Sequence, residues 1–134
     1  MKKIKKVKKM DILILVLTCV IIGVFGQLFM KKGMDSIVKS MGSVDLKDLF
    51  SPKITSIVFQ RYVFIGIVLY IFASIIWLAV LSKAELSFAY PLIGIGYIFT
   101  SILAWLFFGE KLTLIRFLGI LLICGGVYLI VLKV

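Results

Sequence analysis

The sequence predicts an all-α membrane protein of four transmembrane helices, with a helical hairpin in its C-terminal half. Three observations carry that prediction. The 134 residues are 63% hydrophobic, with a mean hydropathy of +1.21. Four apolar runs, at 12–30, 62–81, 86–108 and 112–132, match the roughly 20 residues a helix needs to cross a hydrocarbon core of about 30 Å. The runs are continuous and lack the period-two alternation of a membrane barrel strand. Length leaves room for a single four-helix domain over 1–134, with a basic N-terminal segment at 1–10 and an interfacial loop at 33–61.

Lys2, Lys3, Lys5, Lys6, Lys8 and Lys9 precede the first run. Clustered cations beside a span are attracted to anionic headgroups by about 1 kcal/mol each and are retained on the cytoplasmic side. With four spans both termini are then cytoplasmic. The charge totals alone do not orient the chain. Lys83 and Lys133 join the six lysines inside, while Lys31, Lys32, Lys39, Lys47, Lys53, Arg61, Lys111 and Arg116 fall outside in equal number. The tight cluster decides, because scattered loop charges weigh less. The formal charge of +10 therefore points to a lipid surface and not to nucleic acid. The first run is too long for a cleaved leader, and Lys31-Lys32 follows it without a small-residue cleavage site.

Within the first span, Gly23 and Gly26 lie close to one face and let another backbone approach. Gln27 is an amide inside an apolar run, a residue type that faces a bundle interior as an interhelical hydrogen bond or a substrate contact. Lys31 follows one turn later on the same face. Residues 33–61 mix Gly33, Gly42 and Pro52 with charges and isolated hydrophobes, a pattern expected of one or two short helices on the membrane surface. Arg61, Tyr62 and Trp77 suit interfacial anchoring of the second span.

The last two runs are separated by Gly109, Glu110 and Lys111, which forces an antiparallel hairpin. Lipid gives helices no hydrophobic reason to associate. Close packing of that hairpin is therefore expected through Ala89, Gly94 and Ser101 on one helix and Gly119, Gly125 and Gly126 on the other. Pro91 frees a carbonyl and permits a bend. Gly109 suits a helix C-cap, and Glu110 is expected to open the next helix, where the macrodipole favours a carboxylate.

Catalytic chemistry finds no support. The chain has no histidine, no acidic cluster at metal-ligand spacing and no base beside a Ser or Thr. Cys19 and Cys124 both fall inside spans, where a lone cysteine is a packing residue. Neither a metal nor a cofactor is expected, and no nucleotide-binding loop is present.

Four motifs then stand together: Gly26-Gln27-Leu28 with Lys31, Ala89-Tyr90-Pro91, Gly109-Glu110, and Gly119 with Leu122-Ile123-Cys124-Gly125-Gly126-Val127. In combination they resemble the drug/metabolite transporter superfamily, in its four-helix EamA-like and small multidrug resistance-like members. The multidrug branch depends on an acid in the middle of the first helix. Gly23 stands at that position here, and Ile93 replaces an aromatic Trp. Gly-Gln-Leu with its following Lys, and Ala-Tyr-Pro, are closer to the polyprenyl-phosphate-aminoarabinose flippase subunits.

That resemblance implies a transporter, not an enzyme, which flips a polyprenyl-phosphate-linked sugar across the cytoplasmic membrane of a bacterium or archaeon. It implies substrate contacts at Gln27, Lys31, Tyr90, Pro91 and Arg116, with Gly26, Gly109 and Glu110 structural. It also implies a working unit that is a homodimer or a heterodimer with a related four-helix subunit. The alternatives are a small multidrug or metabolite exporter and a non-transporting accessory subunit of a membrane glycosyltransferase system.

Overall fold

The computed structural model describes residues 9–132. The basic segment before Lys9, and residues 133–134 with the cation at Lys133, lie outside the described residues. The described chain is helical and without strands: α1 Lys9–Met41, α2 Leu46–Leu49, α3 Lys53–Val58, α4 Arg61–Leu81, α5 Leu86–Leu92, α6 Ile95–Phe108 and α7 Leu114–Leu132. Four units are long and apolar enough to span a membrane: α1, α4, the α5–α6 pair and α7. α1 packs along α4 on one side and touches α6 on another, while α7 lies against α5 and α6.

α1 is 33 residues long, about 50 Å at 1.5 Å per residue, so it outreaches a 30 Å core. The connector expected from Gly33 starts only after Met41. Gly42, at φ 85°, ends the helix and donates its N–H to the Val38 carbonyl at 3.0 Å. Gly33 is needed for a different reason. It sits where α1 crosses the start of α4, and a Cβ there would stand 2.5 Å from both Val63 Cγ2 and Gln60 Oε1. Gln60 in turn caps α4, its Oε1 accepting from the N–H groups of Tyr62 and Val63 at 2.9 Å each. Ile37, Ile57 and Val63 close a small apolar cluster at this end. In the connector, Lys53 Nζ lies 2.7 Å from Asp48 Oδ1 and holds that carboxyl below the usual range, helped by the Asp45 N–H.

The tightest contact in the bundle is between α1 and α4. A Cβ on Gly66 would lie 2.6 Å from the Gly26 carbonyl oxygen and 2.8 Å from the Met30 nitrogen. The two backbones therefore meet with no side chain between them, which is how helices associate when lipid supplies no hydrophobic drive. This corrects the expected site of small-residue packing. Gly119, Gly125 and Gly126 of α7 face open space, and of the hairpin glycines Gly94 alone approaches the other helix, towards Ile123 and Val127. The hairpin packs through branched side chains, with Val127 buried beside Leu92 and Ala89 in a core that also takes Val16, Val20 and Val24 from α1.

The third span is broken. α5 ends at Leu92 and α6 begins at Ile95, and Ile93, Gly94, Gly96 and Tyr97 donate three residues back, to Tyr90, Pro91, Ile93 and Gly94. Pro91 has no N–H to continue the regular ladder, and the chain tightens into turns immediately after it. At the hairpin tip Gly109 takes φ 63°, with Gly109 N–H bonded to Trp105 and Glu110 N–H to Ala104. Glu110 thus belongs to the cap of α6 and does not open α7. Thr113 does, its Oγ1 accepting from the Arg116 N–H at 3.3 Å. A hydroxyl at that position satisfies an orphan donor directly, which a carboxylate three residues earlier does not reach.

In dilute detergent-solubilised monomer, Gly66→Val is expected to destabilise the fold by about 1–3 kcal/mol through overpacking. Gly125→Val is expected to leave the thermal midpoint unchanged. Circular dichroism melts of the two variants check this.

Candidate functional site

Three helical units enclose a half-open cavity of about 380 Å³. α1 contributes Cys19, Gly23 and Gln27, each one turn beyond the last. α4 contributes Tyr70, Ser74 and Trp77 along one helix face, and Tyr90, Ile93, Gly96, Tyr97 and Thr100 come from α5, α6 and the break between them. Gly96 keeps the third wall close, since a Cβ there would meet Val20 Cγ1 at 3.1 Å. The Cys19 thiol donates to the Ala73 carbonyl at 3.2 Å, tying the first two walls together mid-span.

The lining is polar for its depth. An amide at Gln27, hydroxyls at Ser74 and Thr100 and phenols at Tyr70, Tyr90 and Tyr97 face a volume walled otherwise by apolar atoms. Ser74 Oγ donates to the Tyr70 carbonyl at 2.9 Å and is left as an acceptor, while the other groups both donate and accept. Trp77 and Tyr90 stand edge to face at one end, centroids 6.3 Å apart. The pairing of Gly26 with Gly66 and of Cys19 with Ala73 sets Gln27 toward the other end. Among the described residues, no charged one lines the cavity.

Of the five residues expected as substrate contacts, the cavity brings together Gln27 and Tyr90. Pro91 lies instead in a second recess between the α5–α6 break and α7, which shares Tyr90, Ile93 and Tyr97 with the first. Lys31 lies outside both, its Nζ paired with Asp35 Oδ1 at 3.0 Å. Arg116 folds back on the hairpin tip, Nη1 donating to the Lys111 carbonyl at 3.3 Å. Lys32 sits over the Tyr62 ring at 4.5 Å. Gly26, just outside the lining, serves the α4 contact.

Sequence reasoning missed Ser74, Tyr97 and Thr100 and took Trp77 for an anchor. A signal was present. Tyr70, Ser74 and Trp77 recur at i, i+4 and i+7, as do Cys19, Gly23 and Gln27 at i, i+4 and i+8, so each set marks one helix face.

Thr100 and Cys19 line the same cavity, and Thr100→Trp is expected to fill it. N-ethylmaleimide is then expected to modify Cys19 at least about tenfold more slowly. Cys124 on α7, outside the lining, is expected to react at an unchanged rate. Peptide mass spectrometry of both cysteines in one sample reads the ratio.

Comparison with known proteins adds the following. The EamA-like transporter family model matches residues 45–132. A protein of Yersinia pestis (strain Pestoides F), named as a probable 4-amino-4-deoxy-L-arabinose-phosphoundecaprenol flippase subunit ArnE, is 35% identical over 69 residues, covering 52% of this chain and 60% of that protein. The correspondingly named ArnF subunit of Proteus mirabilis (strain HI4320) is 40% identical over 70 residues, 51% of this chain and 53% of the relative. The match thus spans little more than half the length of these curated relatives. No solved structure matches.

Proposed function

The chain belongs to the EamA-like transporter family, and on that premise we propose that it flips a polyprenyl-phosphate-linked sugar across the cytoplasmic membrane without altering it chemically. The observation that carries this reading is the cavity: Gln27, Ser74, Thr100 and three tyrosines set into the middle of an otherwise apolar bundle. Hydrogen-bonding groups at that depth are expensive unless they serve one another or a passing solute. A sugar crossing the core needs substitutes for its water shell, and an isoprenoid tail can remain in lipid beyond the cavity's open side. The names of the matched ArnE and ArnF relatives agree with such a cargo.

With both termini cytoplasmic, Trp77 and Tyr90 form the inner end of the path and Gln27 the outer. Lys31 and Arg116 then sit at the outer interface, where they hold the lipid phosphate by charge-assisted bonds. For Lys31 that requires release from Asp35, an exposed pair of the kind whose net worth is small. Pro91 sets the break that carries Tyr90 and Tyr97. The chain supplies no acid in the cavity for proton exchange with a cationic drug, which sets the multidrug reading second.

The working unit pairs this chain with a second copy or a related four-helix subunit. α7 supports that arrangement, since it is almost unburied within the monomer and turns Gly119, Gly125 and Gly126 to open space, the residue type through which membrane helices meet. Two units also complete a cavity that one leaves half open.

Translocation of a labelled polyprenyl-phosphate sugar in proteoliposomes tests the function. Gln27→Ala is expected to slow transfer about tenfold or more, equivalent to a lost polar contact of about 1.4 kcal/mol. Lys31→Ala is expected to raise the lipid concentration needed for half-maximal transfer. Transfer at the wild-type rate in both variants contradicts the proposed path.

A further inference from the structure

The relatives are named for an amino-sugar, 4-amino-4-deoxy-L-arabinose, whose ammonium is positively charged at neutral pH. The cavity of this chain has no counter-charge for it. The six acidic residues are Asp11, Asp35, Asp45, Asp48, Glu85 and Glu110. Asp11 lies in the first turn of α1 and Asp35 on its outer extension against Lys31. Asp45 and Asp48 belong to the connector, Glu85 precedes α5, and Glu110 belongs to the hairpin tip. None of them lines the cavity.

On the lipid-sugar reading above, we propose that this cavity selects an uncharged sugar headgroup and discriminates against an amino-sugar. A cation entering a low-dielectric site loses its hydration, and the lining this chain supplies has no carboxylate to replace it. The rings of Trp77 and Tyr90 attract a cation, but such attraction recovers only part of that loss. For a neutral sugar the same lining is complementary. The Gln27 amide and the hydroxyls of Tyr97 and Thr100 each donate and accept, as sugar hydroxyls do. Ser74 Oγ, which donates to the Tyr70 carbonyl at 2.9 Å, keeps its lone pairs as an acceptor, and the aromatic rings offer apolar faces to the carbon-bound hydrogens of a pyranose or furanose. A volume of about 380 Å³ sits at the small end of ligand pockets, roughly 300–1,000 Å³, which suits one sugar ring with the lipid left outside.

Trp77 makes the test direct. The chain has two tryptophans, and the other, Trp105, is outside the cavity lining. Full-length Trp105→Phe protein in nanodiscs therefore reports cavity occupancy by fluorescence. The matched probes are polyprenyl-phosphate arabinose and its 4-amino-4-deoxy counterpart, with bare polyprenyl phosphate as reference. The arabinose lipid is expected to bind at least tenfold more tightly at pH 7, with the gap closing as pH rises through the ammonium's titration. Gln27→Glu, which adds a carboxylate of nearly the same shape, is expected to reverse the preference. Equal or tighter binding of the amino-lipid to the unmodified cavity at pH 7 overturns the selectivity and leaves the carrier reading standing. Failure of both sugar lipids to bind better than bare polyprenyl phosphate overturns the two together.

Discussion

The structure depends on the direct contact of two backbones, Gly26 of α1 against Gly66 of α4. In water such a pair would contribute little, because hydrophobic burial does most of the work of association. In lipid that drive is missing and close approach takes its place. The absence of side chains at 26, 33 and 66 lets α1 lie along α4 from the middle of the span to the end where α4 begins. Once that pair is fixed, Cys19, Gly23 and Gln27 present one wall of a cavity and Tyr70, Ser74 and Trp77 a second.

The third wall comes from the irregular span. A straight helix over 86–108 would present one fixed face throughout its length. The turns after Pro91 interrupt that regularity, and Tyr90, Ile93 and Tyr97 end up bordering both the main cavity and the recess beside α7. The same residues therefore separate the polar path from the surface on which α7 packs. Gly94 packs against Ile123 and Val127 at that point, so a movement of α7 would be felt at the break. The architecture thus joins the proposed partner face to the proposed substrate path through a few residues of α5 and α6.

Much of this was legible in the sequence. Hydropathy located four spans because burial in lipid demands about twenty apolar residues regardless of fold, and Gln27 stood out because an amide is conspicuous in such a run. The partnerships were harder to read. Glycine announces close approach without saying to what, so Gly125 and Gly126 looked like hairpin packing while Gly66, inside an unremarkable apolar run, makes the essential contact. Boundaries failed where helices outlast the membrane, as at Gly33, or where a hydroxyl at Thr113 caps better than the acid at Glu110. Ser74 and Thr100 escaped notice because a short hydroxyl inside a helix ordinarily bonds its own backbone, and only the assembled walls turn them into a lining.

The most direct measurement is a structure of the chain in nanodiscs with a bound polyprenyl-phosphate sugar. The account requires sugar density between Gln27, Ser74 and Tyr97, with the phosphate toward the Lys31 and Arg116 end and the isoprenoid leaving through the open side. Sugar density on the glycine face of α7, with the cavity among α1, α4 and α6 collapsed or filled by side chains, would contradict it.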